Sequence, residues 1–263
     1  MKHNYKLTLI AAAAIVLTYF GCSKLKEDNT PVNTADPTLV STEIATNLSE
    51  ALYGTQGGFS ISDGLDNPTN VVFKSKGKLS VESVSHFDCG SKIDTTFSFK
   101  LGDSDTSKID IWEKFKYQVA CTNNKRSSIT VNDSLNMVIV GGGASITAKY
   151  GKNFVLKSLN PGVSNVKLQL DGTLNAYLNG TYTEAGKAKA ITASFNYKLT
   201  GLIIDRAADA DITDGTATFA TKGIYEGKTW NYIGTITFMG SHKAKFTING
   251  KVYTINIKTG QVL

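Results

Sequence analysis

The chain has 263 residues and a formal charge of +6, which is long enough for one large β domain or two small ones, so a core needs no crosslinks to be sizeable. Lys2 and Lys6 lie in a segment read below as removed, so the folded part is only mildly basic. Its lysines and arginines are scattered through alternating strands instead of forming a basic stripe, which argues against nucleic acid as a partner.

Residues 1–21 begin with Lys2 and Lys6 and continue with an apolar run from Leu7 to Leu17, the n-region and h-region of an export signal. The run is shorter than the roughly 18 apolar residues a transmembrane helix needs, and nothing downstream reaches that length. Tyr19, Phe20, Gly21 and Cys22 resemble a lipobox, the signal at which lipoprotein signal peptidase cuts before a diacylated cysteine. Gly21 and Cys22 carry the match; Tyr19 and Phe20 stand where that family usually has Leu and a small residue. The resemblance implies a lipid-bearing Cys22 as the new N-terminus, and several acyl chains make a firm membrane anchor. Ser23, Lys24, Leu25, Lys26, Glu27 and Asp28 resemble the Lys-then-acids signal of Bacteroidota-type outer-membrane lipoproteins, with a plain charged linker as the other reading. The resemblance implies the outer membrane, on its surface or periplasmic face, and is silent about the domain that follows.

Residues 22–36 are rich in Asn, Thr, Asp and Pro with few apolar anchors, the composition of a flexible tether. A single β domain is expected over 37–263, opening with a helix at 37–53. Asp36 is its N-cap, Pro37 its first helical residue and Gly54 lies just past its end. Val40, Ile44, Leu48 and Leu52 form its apolar stripe. Beyond about Val71 the pattern alternates with period two to the C-terminus, without another amphipathic helix. The expected fold is therefore all-β: a strongly curved antiparallel meander, barrel or half-barrel, with one short N-terminal helix.

Asn249 and Gly250 are the strongest hairpin signal, since a type I′ turn needs positive φ at both positions. They set Ile248 opposite Lys251, Phe246 opposite Tyr253 and Ala244 opposite Ile255. A three-residue loop at 239–241 sets Phe238 opposite His242, Ile236 opposite Ala244 and Gly234 opposite Phe246. A turn at Glu226 and Gly227 brings Phe219 opposite Gly234. The apolar positions from Val166 to Ile203, folded back around Ala185 and Gly186, give strands far longer than the usual ~5 to 6 residues. Gly172, Gly180 and Gly201 fall where such strands must bend.

Of three cysteines, Cys22 is assigned to lipid. Cys89 and Cys121 read most simply as a disulfide in an exported protein, with two buried free thiols as the alternative. Neither stands in a CxxC or beside a paired histidine, so redox catalysis and zinc have no support. His86 and His242 are far apart and complete no triad; His242 reads as a strand-end residue. Gly141 to Gly143 lack the following Lys of a phosphate loop and read as a turn. Asp209, Asp211 and Asp214 before Gly215 miss the calcium-loop spacing by one and read as solvated turn acids.

No catalytic, cofactor-binding or metal residue is assigned. The function expected is a non-catalytic binding module that takes a small apolar or amphiphilic ligand, or a glycan, on the inward stripe of Phe, Tyr and Leu. The competing expectation is a structural or adhesive surface component that meets protein partners through a strand edge or loops. A hydrolase is the weakest reading, because no nucleophile and base stand out. The helix is expected to sit on the rim of the curved sheet and leave a pocket beside it.

Overall fold

The computed structural model describes residues 35–54, 59–66, 72–75, 78–81, 88–104, 107–161, 166–184 and 186–263. Cys22, its flanking segments and His86 lie outside them. One helix, α1 (Pro37–Leu52), precedes a small hairpin of β1 (Val72–Ser75) and β2 (Lys78–Val81). The meander then runs through β3 (Lys92–Ser104), β4 (Ser107–Thr122), β5 (Lys125–Gly141), β6 (Ala144–Ser158), β7 (Lys167–Glu184) and β8 (Lys187–Asp205). It finishes with β9 (Asp211–Tyr225), β10 (Lys228–Gly240), β11 (Lys243–Ile248), β12 (Lys251–Asn256) and β13 (Gln261–Val262).

β3 to β13 form one eleven-stranded antiparallel sheet in sequence order. β3 and β13 are its two edges, so the curved meander is open and not a closed barrel. The long strands are real: β7 has 18 residues and β8 has 19, folded back so that Glu184 faces Lys187. The β6–β7 ladder runs unbroken, but the ladders on either side of β8 do not. Bulges interrupt β7 and β8 between Leu170 and Gly172, and β8 and β9 between Thr200 and Ile203. Gly172 sits at the first, where a Cβ would stand 2.4 Å from that of Phe154. Gly201 sits at the second with φ of +60°, a conformation that costs glycine little.

The Asn249–Gly250 hairpin has the expected register, with φ of +49° and +78° at its turn. The β10–β11 connection differs. Ile236 faces Phe246 and Phe238 faces Ala244, two residues from the expected pairing. The turn is a tighter one at Ser241 and His242, both with positive φ, and Gly240 absorbs the difference as a bulge. A slip of two preserves the faces, so the apolar side stays apolar. Gly234 does lie opposite Phe219, but its other neighbour is the Thr247 carbonyl and not Phe246.

Alternation gives the sheet one apolar and one polar face. On the apolar face Ile129, Leu156, Leu170, Ile204 and Ile236 are fully buried. α1 covers this face. Asp36 caps it by accepting from the Thr38 amide at 2.8 Å, and Val40, Ile44, Leu48 and Leu52 are each at most 1% exposed. The Tyr197 hydroxyl donates to the Ile44 carbonyl at 3.4 Å, Ser49 to the Lys258 carbonyl at 2.9 Å and Tyr53 to the Ala210 carbonyl at 3.1 Å. The chain is docked even before the helix: Ala35 is buried, donates to the Thr229 carbonyl and accepts from the Tyr232 hydroxyl.

The expectation of a rim helix beside a pocket is met differently: the face under α1 is filled, and an open recess of about 390 Å³ lies beside the β8–β9 connection, lined by Ser62, Val166, Arg206, Ala207, Asp209 and Ala210. α1 is joined by the following segment, in which Phe59, Ile61 and Leu65 are buried and a 3₁₀ turn spans Ile61–Asp63. Phe59 packs on Phe154 and Tyr117, while Arg126 donates to the Leu65 carbonyl. Four aliphatic residues alone are too narrow to fill the concavity; with this segment they fill it. About 20 Å³ remains near Asn47 and Glu50, barely the room of one water.

Candidate functional site: a groove on the polar face

Among the described residues the inward stripe is consumed by core packing, which leaves about 20 Å³ beside α1. The large concavity is on the opposite face. Adjacent strands twist by roughly 20–25° each, and from β4 to β10 the polar face encloses a groove of about 1050 Å³. A single cross-strand row runs along it: Trp112 faces Asn136, Asn136 faces Lys149, Lys149 faces Tyr177, Tyr177 faces Ser194, and Ser194 faces Lys222. Seven strands spaced ~4.8 Å apart make the groove roughly 29 Å long.

Two aromatic rings stand on this otherwise polar row. Trp112 is 37% exposed and Tyr177 38%, unlike the buried aromatics of the other face. Ile224 adds an exposed aliphatic side chain one row away. Between and beside them stand the amides of Asn136, Asn175 and Asn196, with the hydroxyls of Ser194 and Thr192. The Thr192 hydroxyl already donates to the side-chain Oδ1 of Asn179 at 2.9 Å. Trp230 borders the groove from the edge of the core. Its indole N–H donates to Thr221 at 3.0 Å and its ring lies against Gly223.

A second constellation lies on the apolar side beneath α1. Asp133 faces Lys152 across β5 and β6, and Glu113 on β4 hydrogen-bonds Asp133. Burial, then the negative charge of Glu113, push the Asp133 carboxyl up to about 8. Burial likewise raises Glu113 and lowers Lys152, the latter to about 8. Burial and the repulsion between the two carboxyls thus favour their protonated forms, while Lys152 beside them opposes this. Lys152 also donates to the Phe59 carbonyl at 3.2 Å, which ties the covering segment to the sheet. The cavity beside the cluster is about 20 Å³, room for little more than a water.

Cys89 and Cys121 form a disulfide, with Cα atoms 5.5 Å apart. It closes the open end of the β3–β4 hairpin, where the Val119 amide also donates to the Ser91 carbonyl at 3.0 Å. Asp211 is not the solvated turn acid expected: it opens β9, is buried, and its carboxylate accepts the Ser241 and His242 amides at 2.6 and 2.7 Å. Asp209 pairs with Lys258 and lies 3.8 Å from His242, while Asp214 accepts the Gly215 amide. His242 is a turn residue, and Gly142 and Gly143 form the β5–β6 turn. Among the described residues these acids do not group as a metal site.

No family model, curated protein or solved structure matches this chain. Function therefore rests on the groove itself. Sequence reading missed it because Trp112 and Tyr177 are 65 positions apart and share a row only through the register of four strands. The signal was present locally: each is an aromatic residue on the polar parity of its strand.

Proposed function

We propose that this chain is a non-catalytic binding module, held at the outer membrane by a lipid on Cys22, whose polar-face groove takes an elongated glycan. The observation that carries this reading is the row of Trp112 and Tyr177, two exposed rings about three strand spacings, roughly 14 Å, apart on one face. Sugar rings present apolar C–H faces that cover such side chains, and their hydroxyls match the donors and acceptors of the intervening amides. An apolar ligand would leave those amides without partners, which disfavours a lipid in this groove. The adhesive alternative draws little support from the C-terminal edge, where β13 is only two residues long.

Two experiments test the two halves of the reading. Presented with immobilised oligosaccharides of several sugars, the purified protein is expected to be retained by at least one class; retention by none contradicts it. Cys22→Ser is expected to abolish palmitate incorporation and membrane recovery. Continued incorporation of labelled palmitate in that variant contradicts the anchor.

A further inference from the structure

The charge of the groove narrows its ligand. Lys149 and Lys222 belong to the same row as the two rings, one on β6 and one on β9, with Tyr177 and Ser194 between them. Both are exposed, and neither forms an ion pair among the described residues. The groove lining contains no carboxylate. Of the carboxylates elsewhere on this face, Asp94 pairs with Lys116 at 2.7 Å and Asp110 with Lys100 at 3.4 Å, while Asp171 is held by the Gln169 side chain and the Gly201 amide. An uncompensated pair of cations in a concave site raises the local concentration of anions and repels other cations.

Resting on the glycan reading above, we propose that the ligand is an acidic oligosaccharide. Its uronate or sulfate groups meet Lys149 and Lys222 while its rings cover Trp112 and Tyr177. The backbone positions of the two lysines are set apart by three strand spacings, roughly 14 Å, so they are suited to charges on different sugars of one chain. A nucleic acid strand fits less well, because it presents a phosphate at every nucleotide and the lining offers two cations among many neutral amides.

The test is calorimetric titration of the purified protein with oligouronates and sulfated oligosaccharides, each beside its neutral form made by carboxyl reduction or desulfation. A single-stranded DNA oligonucleotide is titrated alongside. The expected result is tighter binding of an acidic member than of its neutral form, by about tenfold, narrowing as salt rises through the range where exposed charges are screened. Lys149→Gln and Lys222→Gln should each weaken the acidic ligand about fivefold, as for an exposed charge pair, and weaken it by more than they weaken the neutral form. Equal binding of acidic and neutral forms overturns the charge assignment and leaves the glycan reading standing. Binding of no saccharide overturns both, and tighter binding of the DNA than of any saccharide overturns both in favour of nucleic acid.

Discussion

The ring of Trp230 occupies the space over Gly223, its direct partner across β9 and β10: a Cβ on Gly223 would stand 2.2 Å from that ring. The glycine is thus a packing requirement where the core meets the groove. Gly223→Ala should displace the indole, break its hydrogen bond to Thr221 and cost about 1–3 kcal/mol, the usual penalty of overpacking. A denaturant midpoint equal to wild type, with unchanged tryptophan emission, would contradict this contact.

The buried stripe of α1 makes a second prediction. Leu48 is fully buried between helix and sheet, so Leu48→Ala should lower stability by about 2–5 kcal/mol through lost transfer energy and the cavity left behind. Thr42→Ala, on the exposed side of the same helix, should change it by less than about 0.5 kcal/mol. Equal effects at the two positions would mean that the helix does not pack on the sheet.

The buried carboxyls predict a pH dependence whose sign is fixed by the direction of the shifts. Asp133 releases its proton near 3.8 in the unfolded chain and near 8 in the folded one, so its contribution to stability falls as pH rises from about 4 to about 8. Lys152 acts oppositely above that range: its unfolded value is 10.5 and its folded value about 8, so stability recovers as pH rises between them. Asp133→Asn should flatten the fall below pH 8 and gain at least about 1 kcal/mol there, one pKa unit being worth about 1.4 kcal/mol. Urea midpoints at pH 5 and pH 8 measure the difference. Parallel profiles for variant and wild type would show that this carboxyl titrates normally.

The disulfide closes a loop at one edge of the sheet. Intact-mass analysis should find no alkylated thiol at Cys89 or Cys121 before reduction, and replacing both with Ser should cost about 2–4 kcal/mol. Two thiols alkylated without reductant would rule the bond out.

What could be read from the residues follows from period and turn chemistry. Asp36 and Pro37 announce the helix start, and Asn249–Gly250 fixes a register residue by residue. The β10–β11 turn was misplaced because a bulge at Gly240 adds a residue that alternation alone does not reveal. The inward stripe was legible as apolar but not as filled. Its filling depends on Phe59, Ile61 and Leu65, a short segment with no periodicity to mark it as core. The groove was least legible, since it arises from the accumulated twist of seven strands and from pairings between distant residues. The Asp133, Glu113 and Lys152 cluster was hidden for the same reason.

If the polar-face groove holds its ligand on Trp112 and Tyr177, those two rings carry the affinity. Trp112→Ala and Tyr177→Ala, each titrated with the saccharide that the wild type retains, should weaken binding at least tenfold, because exposed aromatic platforms carry much of such an interface. Ile233→Ala supplies the control, since Ile233 is 77% exposed on the same face but outside the groove, and it should bind as wild type does. Undiminished affinity in both aromatic variants, with their folds intact by circular dichroism, would show that the saccharide does not sit in this groove.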